Sequence, residues 1–303
     1  CSSDLGGVKT PLNTILWAGD QESTWDEFRA MIKAGVSSAL SGITAWGYDI
    51  AGFSGYLPSR ELYLRNIQFA TFIPIMQWHS DPVSNNKCDP TLAWTINDRS
   101  PWNMSKYLKD PNLLDIVRKK INMHYNLIPY QYVLMKEASD TGIPAIRHLA
   151  LEFSTDTACF NIETEFMLGD SLLICPVLYD YIEKVNVYLP NDTWYDIYTN
   201  KKYKGGYYDL KVDDEVIPVF MRNNRCIPLN LSGKRIESNV GNDLTKYKEL
   251  TFLVSGVGNY HFSDDLGNDI TFTWDKSRVL ETSNKLSLKY NVIHIEKTKI
   301  YRN

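Results

Sequence analysis

The sequence lacks long hydrophobic segments and lacks an excess of positive charge. No apolar run approaches the roughly 18 residues that a membrane-spanning helix needs. The formal net charge is -4 at pH 7, so the chain has no basic surface of the kind that attracts nucleic acid or an anionic membrane. We therefore expect neither a membrane nor nucleic acid as a partner.

Cysteine and cofactor-binding motifs are also scarce. The 303 residues include 5 cysteines and no CxxC pair, so we expect no metal site. A small and odd number of cysteines fits a reducing compartment, and we expect a cytoplasmic location. There is no glycine-rich phosphate loop, HExxH motif or GxSxG nucleophile elbow. We expect no cofactor.

The composition is that of a folded protein, with 44% hydrophobic residues. Up to residue 145, short apolar runs alternate with amphipathic segments. The runs at residues 13–18, 42–48 and 70–76 predict three buried strands, the last of them interrupted by Pro74. This strand–helix–strand order predicts parallel strands with right-handed crossover helices.

Three helices are predicted in the same part of the chain. Thr24 is the predicted N-cap of the first, because Glu27 follows three residues later as in a capping box. The second helix is predicted to begin near Ser59. The third covers about residues 111–139, and we expect Pro129 to kink or split it.

After residue 144 the pattern changes to short strand-like segments separated by turn residues. Residues 184–189 alternate with the period of two that is typical of a strand with one buried face. This part predicts antiparallel β-structure in one or two sandwiches, with a polar boundary at about residues 231–248. Aromatic residues make up 13% of the chain. We expect them to fill hydrophobic cores; the alternative is that some of them form surfaces on which sugars stack.

Polar side chains follow the predicted strands at the points where the strands end: Asp20, Asp49 and His79. The carboxyl ends of parallel strands share one edge, and ligands of such folds bind there. Asp20 stands beside Gly19 and close to Trp17. An apolar indole raises a carboxyl pKa, as a general acid working near neutral pH requires. The alternative is that these aspartates cap a loop or a helix.

Both aspartates lie in short motifs, WAGD at residues 17–20 and GYDIAGF at residues 47–53. The first resembles the W-x-G-D motif that carries the acid/base aspartate of glycoside hydrolase family 31, the α-glucosidase and α-xylosidase family. The second resembles the G-x-D-I-G-G-F block of the same family. The resemblance keeps its order over about residues 9–270. It includes ELYLR (61–65), RSPW (99–102), LEF (151–153), YLP (188–190), TWYD (193–196) and IPVF (217–220).

The resemblance implies a fold that is α/β plus all-β. Residues 1–145 would form the C-terminal strands and helices of a (β/α)8 barrel. Two β-sandwich domains would follow, a proximal one at residues 146–230 and a distal one at residues 231–303.

The resemblance also implies retaining hydrolysis of an α-glycosidic bond through a covalent glycosyl-enzyme intermediate, with an α-linked sugar as substrate. Asp20 would be the general acid/base. Asp49 would hydrogen-bond the sugar in the -1 subsite rather than act as nucleophile, and His79 would bind a sugar hydroxyl. The apolar wall of that subsite would be formed by Trp17, Trp46 and Phe53.

The sequence departs from the family pattern at several positions. Gln77 replaces a planar arginine, which affects sugar preference, and Ala51 replaces a glycine. The family's nucleophile lies on an earlier strand, and no arginine stands at residues 1–4, near where the family has one that binds substrate. We expect a fragment with about three barrel strands, active only with an N-terminal part of the enzyme.

Two other functions remain open at this point. The aromatic residues of the β-rich part would also suit a non-catalytic carbohydrate-binding module. The lack of the nucleophile strand would also suit an inactive remnant of the enzyme. Spacing alone does not decide whether Asp20 and Asp49 form the carboxylate pair of a sugar hydrolase.

Overall fold

The computed structural model describes residues 15–81, 97–231, 236–237, 240–241, 247–285 and 288–298. Residues 13–14 of the first predicted strand and much of the predicted boundary at 231–248 lie outside this set. The helices of the described residues are α1 (Trp25–Leu40), α2 (Arg60–Ala70), α3 (Pro101–Tyr107), α4 (Leu113–Thr141) and α5 (Leu149–Glu152).

The first part of the chain contains parallel strands, as the sequence predicts. Strand β1 (Ile15–Trp17) pairs with β2 (Ala45–Gly47), and α1 is the crossover between them. The segment at Gln77 pairs in parallel with the residues that follow β2. Asp49 forms a β-bridge with Gln77, and the Ile50 N–H donates to the Gln77 carbonyl at 3.0 Å.

The predicted position of this third strand, at residues 70–76, is wrong. Helix α2 continues to Ala70, and the Thr71 hydroxyl bonds back to the Ile67 carbonyl at 2.9 Å. Phe72 and Ile73 are buried, so an apolar run is satisfied here by a helix end and a turn as well as by a strand. Extended pairing begins only near Gln77.

The predicted helix starts are confirmed. The Thr24 hydroxyl accepts the Glu27 N–H at 3.2 Å, and the Ser59 hydroxyl accepts the Leu62 N–H at 3.3 Å. These side chains satisfy backbone donors that lack a partner within the helix. Pro129 does not split the third predicted helix, because α4 continues through it without interruption. A kink at Pro129 stays a prediction.

The second part of the chain is built on a six-stranded antiparallel sheet. The six strands are β3 (Ile146–His148), β4 (Phe166–Leu168), β5 (Leu172–Ile174), β6 (Lys184–Asp196), β7 (Lys202–Lys211) and β8 (Val219–Arg222). Their spatial order is β3-β4-β5-β8-β6-β7. A short 3₁₀ turn at Thr157–Asn161 lies between α5 and β4.

Two three-stranded sheets follow. Their strands are β9 (Cys226–Leu229), β10 (Glu249–Val254), β11 (Gly258–Ser263), β12 (Asp269–Trp274), β13 (Val279–Asn284) and β14 (Lys289–His294). The sheets have the orders β14-β10-β9 and β11-β12-β13, and they share a buried core that includes Phe252, Phe262 and Phe272. The predicted antiparallel pairing is found for β9 with β10, β11 with β12 and β12 with β13, whereas β10 and β14 are parallel.

One hydrophobic core joins the parallel strands to the first large sheet. It includes Ile32 of α1, Ile67 of α2, Leu127 of α4 and Phe166 of β4. Buried apolar contact of this kind supports the loops at the carboxyl ends of β1 and β2 from below. The strand ends that carry Asp20 and Asp49 therefore rest on a packed hydrophobic core.

Candidate active site

The three polar residues predicted to meet at one edge do so. Because β1, β2 and the segment at Gln77 are parallel, the residues that follow them lie at the same edge of the sheet. Asp49 is close enough to both Asp20 and His79 for their charges to affect its pKa.

Asp49 is the buried carboxylate of this site, with only 1% of its surface exposed. Burial raises its pKa from 3.8 to about 6, while a hydrogen bond with the Trp17 side chain and the charge of His79 lower it. Within the described residues, its Oδ1 atom has no hydrogen-bond partner. A buried acceptor without a partner is uncommon in folded proteins, and it suits a ligand hydroxyl.

Asp20 differs from Asp49 in being exposed. It follows Gly19, whose φ of 92° is in the region that favours glycine. Its backbone carbonyl accepts the Ser54 hydroxyl at 3.2 Å, and among the described residues its carboxylate forms no ion pair. The raised carboxyl pKa that the sequence suggests for Asp20 is found at Asp49, where burial is its cause.

Aromatic side chains line two sides of this edge. The Phe53 ring stacks on the His79 imidazole with centroids 5.3 Å apart. Trp17 lies on Gly47, where an added Cβ would come within 2.6 Å of the Trp17 Cζ3 atom. Trp17, Phe53 and His79 are thus all at the edge where Asp20 and Asp49 meet.

The structure does not place Trp46 with them. Trp46 is 4% exposed and stacks on Tyr48 at 5.7 Å. Its indole also lies on Gly35 of α1, where a Cβ would be 2.9 Å away. Successive residues of a strand point to opposite faces, so Trp46 packs into the core beneath α1 and is not a wall of the site.

Arg99 is a residue of the site that the sequence analysis did not single out. Its buried guanidinium donates to the carbonyls of Ala51 and Ser54 at 3.1 and 2.7 Å, and to the Ser23 hydroxyl at 2.8 Å. Arg99 therefore holds together the loops that carry Asp20 and Phe53. The RSPW segment marked the residue, but nothing in the sequence showed its partners.

Family models match most of the chain. Residues 10–134 match the Glycosyl hydrolases family 31 TIM-barrel domain, and residues 142–227 match the Glycosyl hydrolase family 31 C-terminal domain. The chain belongs to glycoside hydrolase family 31.

Curated relatives and a solved structure agree with this assignment. The chain is 35% identical to an isomaltosyltransferase of Sporosarcina globispora over 85% of its own length and 23% of that protein. It is 30% identical to an alpha-xylosidase of Saccharolobus solfataricus over 88% of its length and 34% of that protein. The cycloalternan-forming enzyme of Listeria monocytogenes superposes with a TM-score of 0.77 at 37% identity, over 86% of this chain and 25% of that one.

The two departures from the family 31 pattern both lie at this edge. Ala51 has a φ of 67°, a left-handed conformation that is costly for any residue with a Cβ. Gly52, which keeps the pattern, has a φ of 89°, and a Cβ there would be 2.9 Å from the Ser23 backbone nitrogen. The Gln77 side chain is exposed.

Within the described residues, no group of three or more His, Cys, Asp and Glu side chains is placed to hold a metal ion. In the same part of the chain, no helix has both the length and the apolar character needed to cross a membrane.

Proposed function

We propose that this chain carries the acid/base residue and part of the sugar-binding site of a retaining α-glycoside hydrolase. The observation that carries the proposal is the pairing of an exposed carboxyl, Asp20, with a buried carboxylate, Asp49, at one strand edge. The chain spans about a quarter to a third of the length of its relatives, from 23% to 34% in the two proteins above. The activity is therefore proposed for the complete enzyme.

In the proposed first step, Asp20 donates its proton to the glycosidic oxygen while the bond from that oxygen to the anomeric carbon breaks. A carboxylate from another part of the enzyme forms a bond to the same carbon. In the second step, Asp20 takes a proton from water, whose oxygen attacks the anomeric carbon and displaces the carboxylate. The exposure of Asp20 and its freedom from ion pairs in the described residues support this role.

Asp49 is proposed to bind the sugar rather than to react with it. Its Oδ1 atom accepts a sugar hydroxyl, which gives the buried oxygen the partner that it lacks among the described residues. The stacked rings of Phe53 and His79 and the indole of Trp17 surround the apolar face of the same sugar. Trp46 has no part in this proposal.

The acid/base assignment is tested with Asp20→Asn in the complete enzyme. Loss of a general acid reduces kcat/KM by about 10²- to 10⁴-fold for α-glycosides with poor leaving groups. Aryl glycosides with good leaving groups need less protonation of the leaving oxygen. The rate of their glycosylation step is therefore expected to fall less. Asp140→Asn, at the far end of α4, is the matched control. Unchanged turnover of poor leaving groups in Asp20→Asn would contradict the assignment.

A second candidate function is transglycosylation, which relatives favour. An isomaltosyltransferase is 35% identical to the chain, and a cycloalternan-forming enzyme is 37% identical. The chemistry differs only in the second step, where Asp20 takes its proton from a sugar hydroxyl instead of from water. Product analysis at rising acceptor concentration separates the two: a transferase forms longer saccharides, whereas a hydrolase releases free sugar throughout.

A further inference from the structure

A groove separate from the candidate active site lies between α1 and the large antiparallel sheet. One side is formed by Asp26, Arg29 and Lys33 of α1, and the other by Tyr188 of β6 and Tyr207 of β7. Its volume is about 570 Å³, which is within the range of ligand-binding clefts. None of the residues proposed above for catalysis lines it.

Two exposed tyrosine rings face this groove, and each is held in place. Tyr179 is 59% exposed, and the Arg29 guanidinium lies 4.9 Å from its ring centroid. Arg29 also donates to the Leu178 carbonyl at 3.0 Å. Tyr207 is 60% exposed, and its ring lies 4.7 Å from that of Tyr188. Rings held in this way lose little conformational freedom when a ligand stacks on them.

The charges of the groove cancel. Arg29 pairs with Asp26, and Lys33 pairs with Glu163 at 2.6 Å. Glu165 is 8% exposed, and burial raises its pKa to about 8, so that it is mainly neutral at neutral pH. An anionic ligand therefore meets no unbalanced positive charge in this groove.

Side-chain amides and charged groups supply hydrogen bonds next to the rings. Asn161 and Asn186 line the groove together with the two ion pairs. Asn186 Nδ2 donates to Asp209 Oδ1 at 2.8 Å, which fixes the orientation of the amide. Flat aromatic faces beside fixed polar groups, with no net charge, match a ligand that has apolar C–H faces and many hydroxyls.

We propose that this groove is a second, non-catalytic binding site for a neutral oligosaccharide. The choice of an α-glucan as the ligand rests on the proposed glycosidase function. The expectation of a neutral ligand that stacks on aromatic rings rests on the groove itself. A glucan held there raises the local concentration of its other sugar units near the enzyme. Long substrates therefore gain affinity from the groove, and a small glycoside does not.

The test is electrophoresis of the complete enzyme in native gels that contain soluble starch, combined with hydrolysis of p-nitrophenyl α-glucoside. Tyr207→Ala and Tyr179→Ala are each expected to weaken starch retardation by about tenfold in apparent affinity. Both keep the parent rate on the small glycoside. Tyr207→Phe, which keeps the ring, retains the retardation. Tyr125→Ala, an exposed tyrosine of α4 outside the groove, is the matched control.

Asp20→Asn separates this proposal from the proposed function, because it is expected to lose hydrolysis and keep retardation. If no glycoside is hydrolysed but retardation still depends on Tyr179 and Tyr207, the groove assignment stands alone. Retardation that is absent from the parent enzyme, or unchanged in both alanine variants, would overturn the groove. If dextran sulfate retards the enzyme more strongly than starch does, and Tyr179→Ala and Tyr207→Ala abolish that retardation, the proposal of a neutral ligand is wrong.

Discussion

The Arg99 guanidinium holds the Ser23 hydroxyl with two hydrogen bonds, 3.0 Å from Nε and 2.8 Å from Nη2. Ser23 follows Asp20 in the loop before α1, and its hydroxyl donates in turn to the Ala51 carbonyl at 2.5 Å. The two residues are 76 positions apart in sequence. Through this contact, the loop with the candidate acid and the loop with Phe53 form one hydrogen-bonded unit.

Replacing Arg99 with lysine is expected to destabilise the protein by about 3 kcal/mol, because one ammonium group cannot satisfy the carbonyls and the hydroxyl that the guanidinium reaches. The free energy of unfolding in urea measures the loss. Hydrogen exchange at residues 51–56 is expected to accelerate as well. Arg118→Lys, an exposed arginine paired with Asp115, is the control, with a change of about 0.5 kcal/mol or less. Equal effects for the two variants would contradict the role of Arg99.

Replacing Ala51 with glycine is expected to stabilise the protein by about 0.5–1 kcal/mol. The φ of 67° at Ala51 is strained for a residue with a Cβ and free of strain for glycine. Urea unfolding is again the measurement. Ala30→Gly, at an exposed position inside α1, is expected to cost about 1 kcal/mol. The prediction is wrong if both variants lose stability.

Adding a methyl group at Gly47 is expected to displace the Trp17 indole, because the new Cβ would lie 2.6 Å from Trp17 Cζ3. Gly47→Ala should therefore cost about 1–3 kcal/mol. A double-mutant cycle with Trp17→Leu isolates the contact, since the alanine is better tolerated once the indole is absent. Strictly additive costs in the cycle would show that Trp17 does not rest on Gly47.

The stability of the protein is expected to depend on pH through Asp49. Burial raises its pKa from 3.8 to about 6, so between these values the folded protein keeps a proton that the unfolded chain has lost. The contribution of Asp49 to the stability of the fold is therefore fully present below the pKa of the unfolded chain. It is lost as the pH rises through the pKa of the folded protein. The ionised side chain then costs on the order of 3 kcal/mol.

Asp49→Asn removes this cost. The variant is expected to be more stable than the parent above about pH 6, with the difference fading toward about pH 4. Urea unfolding across that range provides the measurement, and the acidic end acts as the internal control. A difference that stays constant with pH would show that ionisation of Asp49 is not its source.

Local chemistry explains the parts of the fold that were predicted correctly. The hydroxyls of Thr24 and Ser59 cap helices by accepting the N–H of the residue three positions later. Such short spacings can be recognised in the sequence. The alternation of strands and helices predicted that Asp20, Asp49 and His79 would share an edge, and they do. The motifs around them indicated glycoside hydrolase family 31, to which the chain belongs.

Position relative to the core could not be predicted in the same way. Trp46 and Trp17 are both tryptophans of short parallel strands, yet Trp46 packs under α1 and Trp17 packs against Gly47. Which face of a strand is covered depends on what the crossover helix brings against it. The third parallel segment was placed several residues too early for a similar reason, since burial alone does not distinguish a helix end from a strand.

The sequence by itself determined the family, the helix starts, the order of the parallel strands and the candidate acid, because these depend on neighbouring residues and on motifs. The tertiary structure alone decided which aspartate is buried, that Arg99 joins two loops from 76 positions away, and that β10 pairs in parallel with β14. Each of these depends on groups that are distant in the chain. Their hydrogen bonds and their removal from water arise only when the chain is folded.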